Sequence, residues 1–430
     1  MSNKDFKEDN PYLHIGRKLN LLLRTGQMLM ESGADTARIV RDTKLVATNM
    51  GIPIENFTLH VSYTTLMLNV SEGNNSYTNF KKCLNHGVDM TVISAISKLA
   101  WRSVEQHYSL DNYEAELNRI KNLPRQYSPL LSSIAAGFAS GGFCKLFGCD
   151  WVAFFYTAIC AFCGFWIRFL CNKWGINNYA SIAISAFFAT FLAYLTHFIP
   201  GSTTPWYPLI ACTLFIVPGV PLINAINDML NNYVVAGATR LINTILIVGS
   251  MTFGIIIAIH LGKVGDFTSL SVAPDSRYLV EAIAAAIGAL GFSIIFNIPK
   301  RLLLISAIGG MISIFVRNLI VLKFGWSIIL GSFIAATLVS IISLKIANLV
   351  RSPILVLAIP SVIPMIPGVL LYRLLFGIIN IKNLDAVSFM AVVQSGGTAI
   401  LIIIGITVGV TIPNIFGGRY LDKLSQGKYI

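Results

Sequence analysis

Two groups of polar side chains in hydrophobic surroundings could together bind a small charged solute. Asn224, Asn227 and Asp228 fall on one helical stripe because they are three or four residues apart. Tyr372 and Arg373 occupy a corresponding place in the second half of the chain. A carboxylate facing a guanidinium suits a zwitterion, with Asp228 binding the ammonium group and Arg373 the carboxylate.

Each group follows a break in an apolar segment. The first break contains Pro218, Gly219 and Pro221, and the second contains Pro364, Pro367 and Gly368. Proline removes a backbone donor, so a membrane helix with such a break leaves polar backbone groups that are tolerated where they line a cavity. A pair of interrupted segments in matching positions of two halves is typical of the binding site of a secondary transporter.

Two interpretations of these charges stay open. If Asp228 and Arg373 lie near span ends, they are solvated or form structural pairs instead of binding a solute. If transport is coupled to protons, Asp228 is the predicted carrier, since partial burial favours the protonated carboxyl group.

Four more polar side chains of the hydrophobic half could contribute. Gln394 and Thr398 could line a pathway in the last span, although hydroxyl groups there also serve helix packing. Asp150 and Glu281 are further acids with the potential for a role. None of the four forms a motif with a defined chemistry.

The arginines offer a different solute class. A dicarboxylate would favour paired guanidinium groups such as Arg373 with Arg240. Arg168 and Arg317 could also bind an anion, but basic residues at span ends usually extend to the membrane interface, which is the favoured interpretation. The acid at Asp228 tilts the prediction toward an amino acid.

Composition places the chain in a membrane. Of the 430 residues, 55% are hydrophobic and 12% are charged, and the mean hydropathy is +0.69. Thirteen of the 20 acidic residues precede residue 130, whereas the 32 basic residues divide into 15 before it and 17 after it. The net charge of +12 therefore resides mainly in the hydrophobic part, as expected of basic loops that set orientation, and nucleic acid is not an expected partner.

The hydrophobic part predicts about ten transmembrane helices in an inverted 5+5 repeat. A shift of 149 positions aligns Pro218 with Pro367 and Arg168 with Arg317. Five spans, an odd number, precede the sixth segment, so the copies must enter the bilayer in opposite directions. The predicted domains are 1–127, 128–264, 276–418 and a basic tail, 419–430. Basic residues near span ends favour both termini in the cytoplasm, in a multi-pass protein of the cytoplasmic membrane without a signal peptide.

Residues 1–127 predict a small soluble α+β domain. Helical periodicity covers 13–31 and 36–50, and further helices are expected over 89–107 and 112–123. Strands are expected at 57–63, 65–70 and 77–84. We expect this domain to gate, regulate or oligomerise the protein.

No enzymatic motif occurs in the chain. GxSxG, HExxH and phosphate-loop patterns are missing, and the seven cysteines lack the spacing of a zinc site. No metal or organic cofactor is therefore expected. A membrane-anchored hydrolase and a channel are the alternatives to a transporter.

Several ordered motifs resemble the threonine/serine exporter family. They are GQMLMESGADTARIVRDTKLVATNMG from Gly26, HGVDMTVISAISKL from His86, PGVPLINAINDML from Pro218 and GATRL from Gly237. The resemblance implies efflux of threonine and serine, driven by the proton gradient. The pattern is also similar to a two-subunit relative associated with dicarboxylate (succinate) export, fused here into one chain. The partners it implies are a small polar metabolite and the lipid bilayer, and a homo-oligomer stays open.

Overall fold

The computed structural model describes residues 11–262, 278–350, 352–379 and 385–426, and the chain forms two compact units. The first unit contains the described residues before Arg125, together with Asn227–Arg240 and residues 352–353. The second contains Arg125–Ile226, Leu241–Val350 and the described residues from Ile354 onward. The first unit thus takes in segments that follow the predicted domain 1–127.

Four helices and one sheet make up the front of the first unit. The helices are α1 (Pro11–Glu31), α2 (Thr36–Asn49), α3 (Met90–Glu105) and α4 (Leu110–Lys121). The strands are β1 (Phe57–Val61), β2 (Thr65–Glu72) and β3 (Asn75–Lys82), antiparallel in the order β1-β2-β3. Each of these elements was predicted from the sequence, and the observed bounds lie within a few residues of the predicted ones.

Capping and burial explain the local structure of this unit. The Asp35 side chain accepts a hydrogen bond from the Arg38 amide and caps α2, and Asp89 caps α3 in the same way. Leu22 of α1 is fully buried, as are alternate residues of β2 such as Leu68. The apolar helix stripe and the alternating strand pattern therefore meet in one core.

The membrane part consists of two series of helices. The first series is α5 (Pro129–Leu146), α6 (Trp151–Lys173), α7 (Asn178–Thr196), α8 (Tyr207–Ala211), α9 (Gly219–Leu230) and α10 (Val234–Leu261). The second is α11 (Tyr278–Ile295), α12 (Leu303–Asn318), α13 (Ile328–Val350), α14 (Ile354–Val362), α15 (Gly368–Ile379) and α16 (Ala386–Gln426). Helix α16 runs into the predicted tail 419–430, whose last four residues lie outside the described part.

Seven helices of the described part are long and apolar enough to cross a membrane, and nine spans result if each bent helix pair counts as one. The bends, at the two Pro–Gly breaks, measure 59° and 63°. The predicted count of ten is not confirmed, since α5 is not among these candidates. The two discontinuous segments themselves are present where the sequence places them.

The second series repeats the first with a shift of 149 residues. Adding 149 to the bounds of α5 gives those of α11, and the same shift converts α9 into α15. Helices α5 and α11 also pack reciprocally: a Cβ on Gly142 would lie 2.7 Å from the Ala284 carbonyl oxygen, and one on Gly291 would lie 2.5 Å from that of Ala135. These four positions exchange under the same shift, so the two helices use equivalent surfaces at their contact.

Candidate functional site

The two Pro–Gly breaks of the second unit pack against each other. A Cβ on Gly219 would lie 2.7 Å from Cδ1 of Ile366, and a Cβ on Gly368 would lie 3.0 Å from Cδ2 of Leu214. Glycine at both positions therefore permits a close approach that a larger residue would obstruct. The breaks meet face to face.

A cavity of about 80 Å³ lies beside this contact. Its walls are mainly apolar, and they include Phe143, which packs edge to face on Phe292 at a ring distance of 5.8 Å. Residues Pro364 to Leu370 of the second break form another wall, and Arg317 supplies a positive charge. A largely apolar cavity with few polar groups is typical of a small-molecule site.

Arg317 belongs to a polar cluster at the end of α12. Its Nε donates a hydrogen bond to Oδ1 of Asn318 at 3.1 Å, and Nδ2 of Asn318 donates to the carboxylate of Glu281. Asn318 and Glu281 are buried, with 0% and 3% of their surfaces exposed. A π-helical turn, Leu319–Lys323, follows directly.

In the first unit, Asp228 is fully buried and paired. Its carboxylate accepts hydrogen bonds from the backbone amide of Thr36 at 2.8 Å and from the Thr36 hydroxyl at 2.7 Å. Nε of Arg240 lies 3.0 Å from the same carboxylate. Asp228 thus sits at the N-terminus of α2 and next to a cation, two contacts that stabilise its negative charge, whereas burial opposes that charge.

Arg240 is held by several groups of the first unit. Its Nη2 donates to the Ala34 carbonyl at 2.9 Å, and its guanidinium lies 5.8 Å from the ring centre of Tyr63. The Tyr63 ring stacks on His86 at 3.9 Å. Burial, and then the charge of Arg240, lower the pKa of His86.

The other residues predicted to bind substrate lie in varied surroundings. Asn224, in the second unit, is buried, and Asn227, in the first, is buried and accepts a hydrogen bond from Asn231. Arg373 of the second unit is partly buried, whereas the side chain of Tyr372 lies outside the description. Gln394 is exposed and Thr398 is partly buried on α16. The predicted pairing of Asp228 with Arg373 stays a prediction.

Asp150 and Arg168, two further charged residues named in the sequence analysis, lie in different surroundings. Asp150 caps α6 through the Ala153 amide and accepts further bonds from Ser202 and Thr203. Burial raises the pKa of Asp150, but these hydrogen bonds outweigh that effect and lower it overall. Nε of Arg168 is buried and has no hydrogen-bond partner among the described residues.

Sequence reasoning did not identify Thr36, Phe292 or Asn318 as parts of these sites. Phe292 could have been found, because the shift of 149 residues places it opposite Phe143. Thr36 and Asn318 carry no such signal, since their contacts with Asp228 and Glu281 join positions 192 and 37 residues apart. Among the described residues, no group of three His, Cys, Asp or Glu side chains could hold a metal ion.

Comparison with known proteins places the chain in a family. The family model described as "Putative threonine/serine exporter" matches residues 20–262, and that described as "Threonine/Serine exporter, ThrE" matches residues 281–416. The chain is 21% identical to the "Probable threonine/serine exporter" of Mycobacterium tuberculosis over 92% of its own length and 76% of the relative's. It is 21% identical to the "Threonine/serine exporter" of Corynebacterium glutamicum over 91% of its length and 81% of the relative's.

A further relative matches only part of the chain. The "Probable succinate transporter subunit YjjP" of Escherichia coli is 24% identical over 56% of this chain and 92% of its own length. No solved structure matches the chain. With both family models matched in succession, the chain belongs to the threonine/serine exporter family.

Proposed function

We propose that this membrane protein is a secondary transporter that exports threonine and serine across the cytoplasmic membrane. The observation that carries the proposal is the contact between the two Pro–Gly breaks beside a cavity. Transporters with discontinuous helices bind solute where such breaks meet, between repeats of opposite orientation. The register shift of 149 residues between α5 and α11 supports an internal repeat, and an odd number of spans in each copy would make it inverted.

The proposed cycle is alternating access coupled to protons. Reciprocal packing of α5 on α11 through Gly142 and Gly291 supplies two equivalent surfaces that can move past each other. No nucleotide-binding motif occurs in the sequence, so an ion gradient is the proposed energy source. Both termini are proposed to lie in the cytoplasm.

Succinate export is the second candidate. It is favoured by the relative named as a succinate transporter subunit, which aligns with 240 residues of this chain. The two candidates differ at one end of the solute, since an amino acid carries an ammonium group where succinate carries a second carboxylate.

The test is counterflow into proteoliposomes that are preloaded with unlabelled threonine, serine or succinate. We expect the intact chain to exchange threonine and serine, and an inward pH gradient to alter the rate. Asp228→Asn and Arg373→Ala examine the zwitterion site predicted from the sequence, and loss of threonine exchange in both variants, with thermal unfolding unchanged, would support that site. Exchange of succinate alone, with Asp228→Asn still active, would contradict amino acid export and favour the second candidate.

A further inference from the structure

We infer that the cavity beside the second Pro–Gly break is the carboxylate-binding subsite of the transport path, with Arg317 as its anion-binding residue. The inference rests on the proposed function. It assigns to Arg317 the carboxylate that the sequence alone gives to Arg373.

The first argument is the state of the Arg317 guanidinium. Its Nε is used by Asn318, whereas neither terminal nitrogen donates a hydrogen bond to any described residue. The side-chain amide of Asn318 lies between Arg317 and Glu281 in this hydrogen-bond chain, so Arg317 makes no direct ion pair with that carboxylate. Two donors of a planar fork are therefore left for a carboxylate, which guanidinium binds with two parallel hydrogen bonds.

The second argument is the cost of this charge in its surroundings. Phe143, Leu214 and Ile402 make most of the neighbouring wall apolar, where a cation is expensive unless an anion or water accompanies it. The charge of Glu281 interacts with Arg317, but without a direct ion pair that would occupy the two terminal nitrogens. The cavity of about 80 Å³ has room for several waters, since one water needs about 10–15 Å³. A bound carboxylate would replace that water and interact strongly in the apolar environment.

The third argument is the backbone of the second break. Val369 and Leu370 line the cavity in the first turn of α15, where helical amides have no acceptor within the helix. The matching position to Leu370 in the first break is Pro221, which has no amide hydrogen. At this position the second break thus offers a donor that the first lacks, in a cavity that Arg317 also lines.

The polar cluster also occurs in one half only. The shift of 149 residues places Phe169 opposite Asn318 and Ser132 opposite Glu281. Arg168, opposite Arg317, therefore has no equivalent of the amide that orients Arg317, and it does not line the cavity. One carboxylate subsite follows, and Asn318 and Glu281 are its positioning residues.

The test measures KM in counterflow for wild type, Arg317→Gln and the conservative Arg317→Lys, which retains the charge without the fork. Loss of a charge-assisted hydrogen-bond pair predicts a rise in KM of about tenfold or more in Arg317→Gln and a smaller rise in Arg317→Lys. Lys323→Gln, at an exposed position five residues past Asn318, is the matched control and should keep the wild-type KM. Arg373→Gln should raise KM less than Arg317→Gln does.

Threoninol, which lacks the carboxylate, distinguishes loss of the carboxylate subsite from a general loss of transport activity in the variants. Wild type should bind it poorly, and its inhibition constant against threonine exchange should not change in Arg317→Lys. A wild-type KM in both Arg317 variants, or equal weakening of threoninol and threonine, would overturn the inference. Counterflow by the wild type with threonine, serine and succinate shows which solute supplies the carboxylate. If the wild type exchanges none of the three, the proposed function is refuted and not the role of Arg317.

Discussion

Arg240 places its Nε 3.0 Å from the carboxylate of Asp228, and both side chains are almost completely buried. Thr36 donates twice to the same carboxylate, and Ala34 accepts from the same guanidinium. These hydrogen bonds to charged groups link the segment Asn227–Arg240 to the α2 end of the first unit, to which the segment belongs. The sequence left open whether Asp228 binds a solute or forms a structural ion pair, and this contact is such an ion pair.

Breaking this pair should destabilise the protein strongly. Arg240→Met leaves the Asp228 carboxylate buried without its cation, which costs about 3–5 kcal/mol. Adding Asp228→Asn should restore part of the loss, because the uncompensated charge is then gone. Thermal unfolding in detergent measures both variants.

The control is a salt bridge of similar length at the surface. Arg119 lies 2.9 Å from Glu116, but 61% of its side chain is exposed. Arg119→Met should therefore change the stability by no more than about 1 kcal/mol. Equal losses in Arg119→Met and Arg240→Met would show that burial of the Asp228 pair has no energetic consequence.

The contact between the Pro–Gly breaks predicts a specific pattern of rescue. Gly219→Ala adds a Cβ 2.7 Å from Cδ1 of Ile366, and because that carbon ends a flexible side chain, the overpacking should cost about 1 kcal/mol. Ile366→Val removes that carbon, so the double variant should recover stability and exchange. Gly249→Ala is the control, since nothing lies within 4 Å of its added Cβ. Unchanged behaviour of Gly219→Ala would contradict the close approach of the breaks.

The sequence predicts the elements of this protein better than it predicts its sites. Pro218 and Pro367 fix the breaks because a missing amide acts locally, and the apolar stripe of α1 defines its buried face in the same local way. The partner of Asp228 could not be read from the sequence. Its contact with Thr36 joins positions 192 residues apart, and no periodicity encodes such a contact.

The same limit applies to the cavity. Arg317 was expected to reach the membrane interface, since its position near a span end gives no information about its neighbours. Its place on the cavity wall, and the contact of its neighbour Asn318 with Glu281, depend on how α12 packs. The repeat register, by contrast, was readable, and it places Phe143 opposite Phe292.

His86 should make the first unit sensitive to acid. Its pKa is lowered in the folded protein, so the unfolded chain binds the proton more readily. The stability that neutral His86 contributes is complete above the pKa of His86 in the unfolded chain, about 6.5. It is lost as the pH falls through the lower pKa of His86 in the folded protein. The segment around His86 should open first. The amides of Gly87 and Asp89 attach it to the end of α1 by donating to the carbonyls of Glu31 and Ser32.

Hydrogen exchange at those two amides measures the effect. Between pH 7.5 and pH 5.5, protection corrected for intrinsic rates should decrease in the wild type and should decrease much less in His86→Gln. The same pH dependence in both proteins would assign the acid sensitivity to another group.

The most direct test of the central claim, that solute binds in the cavity beside the contact of the two Pro–Gly breaks, is substrate protection of a cysteine placed in that cavity. Leu370→Cys, in a Cys163→Ser background, puts a thiol on the cavity wall after removing the natural cysteine that is not fully buried. Threonine or serine should slow its modification by a small methanethiosulfonate several-fold and leave the exposed reference Lys323→Cys unaffected. Modification of Leu370→Cys at an unchanged rate, under conditions where the same protein exchanges threonine, would contradict the account.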